Sequence, residues 1–313
     1  MFHIIPFNTN VDFLRMRNVA LVVSILLLIG SIALLATRGL NYALDFTGGT
    51  SAELLFEKPV DLEEIRAKLD EAGYQGATVQ NFGSENDVVI RLQPRADQAN
   101  AEQTGGAILE AVTTPDNPGQ VISSDFVGPQ VGKELAQNGI LAVLFVLIGF
   151  VVYISIRFEW KFAVAAIVTT AFDVVVTTAL FALTQREFDL TVMAGIMSVM
   201  GFSINDTIVV FDRVRENFRA ANKFSSMEIL NRSVNQTLSR TILTSVVALL
   251  TVTALYIYGG SSLEGMAESQ IFGIILGTLS SIFVACPILY WLGTSKQDLI
   301  PKTRDEAELA RRP

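Results

Sequence analysis

The chain has 313 residues, room for two modest domains, and its 23 Lys and Arg against 31 Asp and Glu give a net charge of −8. That balance excludes a basic nucleic-acid binder. One cysteine (Cys286) and one histidine (His3) leave no intrachain disulfide and no His/Cys zinc cluster, and histidine-based catalysis would have to recruit His3 near the N-terminus, so none is expected. Half of the residues are hydrophobic, 17% are charged, and the mean hydropathy is +0.44, the composition of a membrane protein rather than a soluble domain.

Residues 1–18 form a short N-terminus that carries Arg15 and Arg17 just before an apolar run, Val19–Ala36, so residues 19–37 are expected to make a first transmembrane helix. The run is longer than a signal-peptide core and no small-residue cleavage site follows it, so an uncleaved anchor is expected. Residues 38–138 hold 7 basic and 16 acidic residues, a net −9, and read as a soluble segment. In it the stretch Leu44-Asp45-Phe46-Thr47-Gly48-Gly49-Thr50 is expected to make a tight backbone turn. A phosphate loop is excluded because no G-x-x-x-x-G-K-[ST] occurs.

After that turn Ser51–Phe56 has strand character. Asp61–Ala72 predicts a helix, with Asp61 as cap, Glu64 completing a capping box and Gly73 as stop. Thr78–Phe82 and Val88–Leu92 predict two strands joined through Gly83–Asp87, Ala99–Val112 a helix interrupted by Gly105-Gly106, and Val121–Val127 a last strand. The order β-α-β-β-α-β predicts a small ferredoxin-like α+β domain.

Residues 139–292 then contain five more apolar runs: Gly139–Ile156, Phe162–Thr184, Leu190–Phe211, Ser239–Tyr258 and Ile271–Leu292. Backbone groups in lipid must bond within their own segment, so all are expected to be helices. Small residues at Gly273, Gly277, Ser281 and Ala285, and at Ala194, Ser198 and Gly201, predict close helix packing. Pro287 predicts a kink in the last span. Phe211–Arg232 is expected to be an interfacial amphipathic stretch, and residues 293–313 a basic tail.

Lys and Arg collect before span one, between spans two and three (Arg157, Lys161), between spans four and five (Arg213, Arg215, Arg219, Lys223, Arg232) and after span six (Lys296, Lys302, Arg304, Arg311, Arg312). Both termini are therefore expected in the cytoplasm, and residues 38–138 outside it.

Ionisable residues inside spans need a reason. Asp173 lies about 18 Å past Lys161 at ~1.5 Å per helical residue, near mid-membrane. Asp206 lies about 10 Å in from Arg213, and Arg240 about 12 Å in from Arg232, on consecutive antiparallel helices. Burial and a neighbouring guanidinium act in opposite senses on a carboxyl group, a setting in which Asp206 can bind and release protons. Arginine stays charged and can only gate or counter that charge. A static Asp206–Arg240 pair that orients two helices is the competing reading, and for Asp173 function and packing stand level.

The segments Leu44–Thr50 (LDFTGGT), Phe126–Leu135 (FVGPQVGKEL), Arg157–Lys161 (RFEWK), Met200–Asn217 (MGFSINDTIVVFDRVREN) and Thr237–Thr244 (TLSRTILT) resemble, in this order, the SecD/SecF family of bacterial protein export, in its smaller-subunit form. The resemblance spans nearly the whole chain. It implies half of a twelve-helix assembly related to RND transporters, completed by a SecD partner in the bacterial inner membrane. It also implies a place beside YajC and the SecYEG channel, and use of the proton gradient to move preproteins outward after the SecA ATPase has driven them in. The family's acid and arginine tied to proton flow match Asp206 and Arg240. Asp173 matches the acid of a His-Asp-Val motif that here reads Phe172-Asp173-Val174, so an imidazole relay is not expected there. No cofactor, metal or enzymatic chemistry is implied. The rival readings are a non-transporting scaffold subunit and half of an RND-type exporter of lipids or small molecules.

Overall fold

The computed structural model describes residues 10–82, 84–93, 101–220, 224–295 and 298. His3, Gly83, Lys223, Lys296 and all of the tail after 298, with Lys302, Arg304, Arg311 and Arg312, lie outside the described residues. The fold is the expected one, an α-helical membrane protein with a small α+β domain. It divides into two compact units, residues 1–41, 143–186 and 191–313, and residues 42–142 with 187–190.

The second unit holds β1 (Asn41–Tyr42) in part, a single helical turn α2 (Leu44–Thr47), β2 (Gly49–Phe56), α3 (Leu62–Glu71), β3 (Thr78–Phe82), β4 (Ser84–Leu92), α4 (Ala101–Val112) and β5 (Gly119–Val127). The sheet order is β3-β4-β2-β5, all antiparallel, so the first long strand sits between the third and fourth, as in ferredoxin-like folds. Alternation along β2 sends Ala52, Leu54 and Phe56 inward, onto Ile65 and Leu69 of α3 and Ile108 and Val112 of α4.

Three local expectations are corrected in this unit. Asp61 caps α3 by accepting from the Glu63 N–H at 2.9 Å, but no capping box forms, because Glu64 turns along the helix to Lys68 at 2.7 Å. β4 begins at Ser84 rather than Val88, since Asp87 still pairs with Leu55. Gly105 and Gly106 lie within α4 without ending it: the helix comes so close to β5 that a Cβ on Gly105 would stand 2.7 Å from Ser124 Oγ.

The LDFTGGT stretch is a helical turn followed by a glycine pair. Gly48 (φ +67°) ends α2 and Gly49 (φ +123°) opens β2. A Cβ at Gly48 would meet Pro129 Cα at 3.0 Å, and one at Gly49 would collide with the Leu92 carbonyl oxygen, so both positions need glycine for space as well as for φ. In the same unit, β6 (Glu187–Phe188) runs beside β1, with the Ala43 N–H bonded to the Phe188 carbonyl at 3.0 Å. Arg91 on β4 pairs with Glu187, and Asp45 accepts the Leu190 N–H at 3.1 Å.

The other unit is built from helices long and apolar enough to cross a membrane: α1 (Arg17–Thr37), α5 (Pro129–Arg157, which the unit takes from 143), α6 (Trp160–Thr184), α7 (Leu190–Ala220), α8 (Ser226–Tyr258), and a last span of α9 (Ser261–Ser280), a π turn (Ser281–Ala285) and α10 (Cys286–Trp291). All six expected spans are present, and their helices outrun the apolar runs, most of all in α5, α7, α8 and α9. α5 starts at Pro129, inside the segment expected to be soluble, because proline suits a first helical turn. α7 continues to Ala220 and α8 begins at Ser226, so the expected interfacial stretch is mostly the ends of two spans. Ser225 and Glu228 form the capping box that starts α8.

The apolar core gathers Phe158, Phe162, Phe211 and Phe218 with Leu14 and Leu230; the Phe162 and Phe211 rings meet edge-on at 5.3 Å. α7 and α9 approach closely through Gly195, Gly265, Gly273 and Gly277, where a Cβ on Gly277 would stand 3.2 Å from that of Ser203. On α7 this close face is Gly195, Val199 and Ser203, not the expected Ala194, Ser198 and Gly201. Ala194 and Ser198 are exposed.

Candidate functional site

Four helices meet at the polar centre of the membrane unit. Asp173 on α6 is fully buried and Asp206 on α7 is 5% exposed. Both carboxylates are held by hydroxyl groups. Asp173 Oδ2 accepts from Ser203 Oγ of α7 and from Ser280 Oγ of α9 at 2.8 Å. Asp206 Oδ1 accepts from Thr241 Oγ1 of α8 at 2.9 Å, and Oδ2 accepts from Ser281 Oγ at 3.1 Å. Helical spacing explains the geometry: Ser203 precedes Asp206 by three residues and so shares its face. The two acids are thereby linked twice, along one face of α7 and through consecutive serines at the start of the π turn.

Arg240 does not join this cluster. It is exposed on α8, on the side of Leu243, Val247 and Leu250, which are also exposed, and among the described residues it makes no ion pair with Asp206. Its neighbour Thr241 is the residue that reaches the acid. The expected proximity of Asp206 and Arg240 holds at the level of charge, since the Arg240 guanidinium is near enough to act on the Asp206 carboxyl through space, but not as a direct ion pair.

Sequence reasoning found both acids and missed the four hydroxyls that hold them. Thr241 sits inside TLSRTILT and Ser203 inside MGFSIND, where their spacing to Arg240 and Asp206 was the available signal. Ser280 and Ser281 gave none, since serine in an apolar run is common packing. Two of the quoted motifs also meet at one end of the spans: Arg157 and Glu159 of RFEWK pair with Asp212 (3.1 Å) and Arg215 (3.1 Å) of the α7 motif. Asp298, held by Lys161 at 2.8 Å and by Ser295, is kept below the usual carboxylate range by those bonds.

Six spans, an α+β domain inserted after the first, and two carboxylates buried among hydroxyls define a multi-pass membrane transport subunit. Comparison with known proteins narrows this. The family described as "Protein export membrane protein SecD/SecF, C-terminal" matches residues 108–295, and "SecD/SecF GG Motif" matches residues 33–60, around the Gly48–Gly49 pair. The protein translocase subunit SecF of Vibrio alginolyticus is 45% identical over 304 residues, 96% of each chain. That of Pseudomonas aeruginosa is 43% identical over 291 residues, 93% of this chain and 94% of the relative. The crystal structure of SecDF from Thermus thermophilus, a translocon-associated membrane protein, superposes with a TM-score of 0.83 at 33% identity over 93% of this chain. This chain spans 40% of that one. The chain belongs to the SecD/SecF family, with the translocase subunits of the SecF type.

Proposed function

We propose that this chain, joined to a SecD partner, uses the proton gradient to promote preprotein movement outward across the bacterial inner membrane after SecA has driven the preprotein into the SecYEG channel, with YajC alongside. The observation that carries the reading is the pair of buried carboxylates, Asp173 and Asp206, bonded to neutral hydroxyls and to no cation among the described residues. A buried acid with no cation bonded to it is costly to keep for structure alone, and it is suited to taking and releasing a proton. A proton crossing the whole membrane gains ~2.3 kcal/mol per 100 mV, which the protein can use if binding and release occur in different conformations.

The SecD partner is supported by surface that this chain leaves open. In α1 and α5 only 11% of the most apolar stretch is buried, against 56% in α6, α7 and the last span. Arg240 and Asn205 are exposed within spans, where a polar group in lipid needs a partner. In this reading both termini are cytoplasmic and residues 38–138 are periplasmic. With Cys286 replaced, a cysteine at Gln75 is expected to react with an impermeant thiol reagent in intact spheroplasts and one at Ala220 to be protected. The reverse pattern inverts the topology.

The mechanism is tested by Asp206→Asn. Inverted vesicles containing the variant are expected to bind SecD normally and translocate preprotein at the gradient-free rate, with no stimulation by an imposed gradient. Arg240→Met is expected to do the same, and the double variant to be little worse than either. Full gradient stimulation in Asp206→Asn supports the scaffold reading instead.

A further inference from the structure

The last span contains the one π turn among the described residues, Ser281–Ala285, and it begins where the two acids are bound. Pro287, two residues on, has no N–H, so the carbonyl of Phe283 loses its α-helical donor; beside it the Cys286 thiol donates to the Ser281 carbonyl at 3.7 Å. π turns of this kind accommodate one extra residue and concentrate at functional sites. Each serine at its start has two acceptors within reach of one hydroxyl proton. Ser280 Oγ lies 2.8 Å from Asp173 Oδ2 and 3.1 Å from its own helix's Gly277 carbonyl. Ser281 Oγ lies 3.1 Å from Asp206 Oδ2 and 3.0 Å from the Thr278 carbonyl. A charged carboxylate is the stronger acceptor, whereas a protonated one offers a donor of its own. The charge of each acid therefore decides whether its serine points across to α6 or α7 or back onto its own helix.

Three more buried polar atoms near the pair have no hydrogen-bond partner among the described residues: Asp173 Oδ1, Thr177 Oγ1 one turn further on α6, and Thr207 Oγ1 next to Asp206 in sequence. Buried polar atoms of this kind are rare and call for a reason. A carboxyl group that changes its protonation state needs such spare capacity, because the added proton has to be bonded as well. The other ionisable groups near the pair are Arg240, next to Thr241 on α8, and the Cys286 thiol on the last span. α1, which packs on α6 and on the π turn, has no ionisable side chain after Arg17.

We propose that Asp173 and Asp206 act as one coupled acid pair joined through Ser280 and Ser281, and that these serines are positioning residues which convert the charge state of the pair into the register of the π turn. The inference deepens the proton-driven reading and rests on it. It makes Asp173 part of the device rather than a packing residue, and it puts the moving element in the last span. Ser280 and Ser281 are consecutive at the mouth of the π turn, so a cross-helix bond strengthened at one serine bears on the backbone that positions the other, and the two acids are linked through that backbone as well as through charge.

The test is a pH titration of the protonated-carboxyl C=O bands by infrared difference spectroscopy, on the full chain with its partner in nanodiscs and with no gradient imposed. Asp173→Asn and Asp206→Asn assign the bands. Coupling predicts that Asp173→Asn moves the Asp206 midpoint by roughly one pH unit or more. It also predicts that Ser280→Ala with Ser281→Ala shifts both bands and shrinks the coupling, while Ser280→Thr and Ser281→Thr, which keep the hydroxyls, restore it. An Asp206 midpoint unchanged in Asp173→Asn overturns the proposal, and so does a wild-type titration in the serine-to-alanine variant. Export and titration are separate readouts. Coupled titration with gradient-indifferent export sinks the transport reading; independent titration with gradient-dependent export sinks the coupling.

Discussion

The two units bury opposite things. The α+β unit has an apolar cluster of Ala52, Leu54, Phe56, Ile65, Leu69, Val88, Ile90 and Ile108 at its centre, with no carboxylate in it. The membrane unit turns Phe145, Ile148, Ile156 and Leu250 outward and encloses Asp173, Asp206 and the hydroxyls that bind them. Solvent explains the outer surfaces, since lipid accepts what water rejects. It does not explain the inner ones. Apolar side chains often fill an interior such as the membrane unit's as stably as buried charged groups do, so holding the fold does not by itself account for its polar centre. The contrast teaches which residues to question: an interior leucine in the α+β unit is accounted for by stability, whereas an interior acid in the spans is not.

The largest expected effect on stability tests the apolar side of that contrast. Leu54→Ala removes a fully buried side chain from the middle of β2, and should destabilise the excised segment 39–142 by about 2–5 kcal/mol. Denaturant melts of that segment measure it. A wild-type segment that does not melt cooperatively removes the premise that this unit has a sufficient core of its own. Asp206→Asn should act the other way round: it should cost the intact complex less thermal stability than Leu54→Ala costs the segment, and yet abolish the response to a gradient.

The same contrast governs what could be read from sequence. Hydropathy gave all six spans, because lipid-facing and interior residues alike are apolar. It misjudged their ends, since the outer turns of α5, α7 and α8 are too polar to count as membrane span although they continue the same helices. Which face of α7 packs closely was not legible either. Ala194, Ser198 and Gly201 repeat at the right spacing, but Gly195, Val199 and Ser203 do so too, and only the position of α9 decides between them. At the candidate site the two acids stood out because charge in an apolar run is rare. Their partners did not, because a serine that binds a carboxylate and one that bonds back to its own helix have the same sequence. The π turn is a similar case: Pro287 announced a disturbance without saying that it would fall on the residues that touch both acids.

The smallest expected effect concerns acids of the α+β unit that lie outside its apolar cluster. Glu53 lies on the outer face of β2, with Asp87 of β4 and Asp125 of β5 as diagonal neighbours across the two ladders. Partial burial, and then the charges of Asp87 and Asp125, hold its carboxyl above the usual glutamate range. The sign of the linkage follows. Below the unfolded-state value, near 4.5, Glu53 is protonated in both states and costs nothing. As pH rises the unfolded chain ionises first, so stability falls until the folded carboxyl has ionised as well, and the cost persists at neutral pH. Glu53 is largely solvated, which keeps the effect small. Glu53→Gln should therefore stabilise the excised segment at pH 7 by roughly 0.2–1 kcal/mol, the range for like charges across a sheet, and the gain should vanish at pH 4. A gain of the same size at both pH values would show that the substituted amide improves packing rather than relieving charge. A loss at pH 7 would mean that Glu53 is held by an attraction, and that the outer face of this unit is not the acid-repelling surface its sequence and sheet register define.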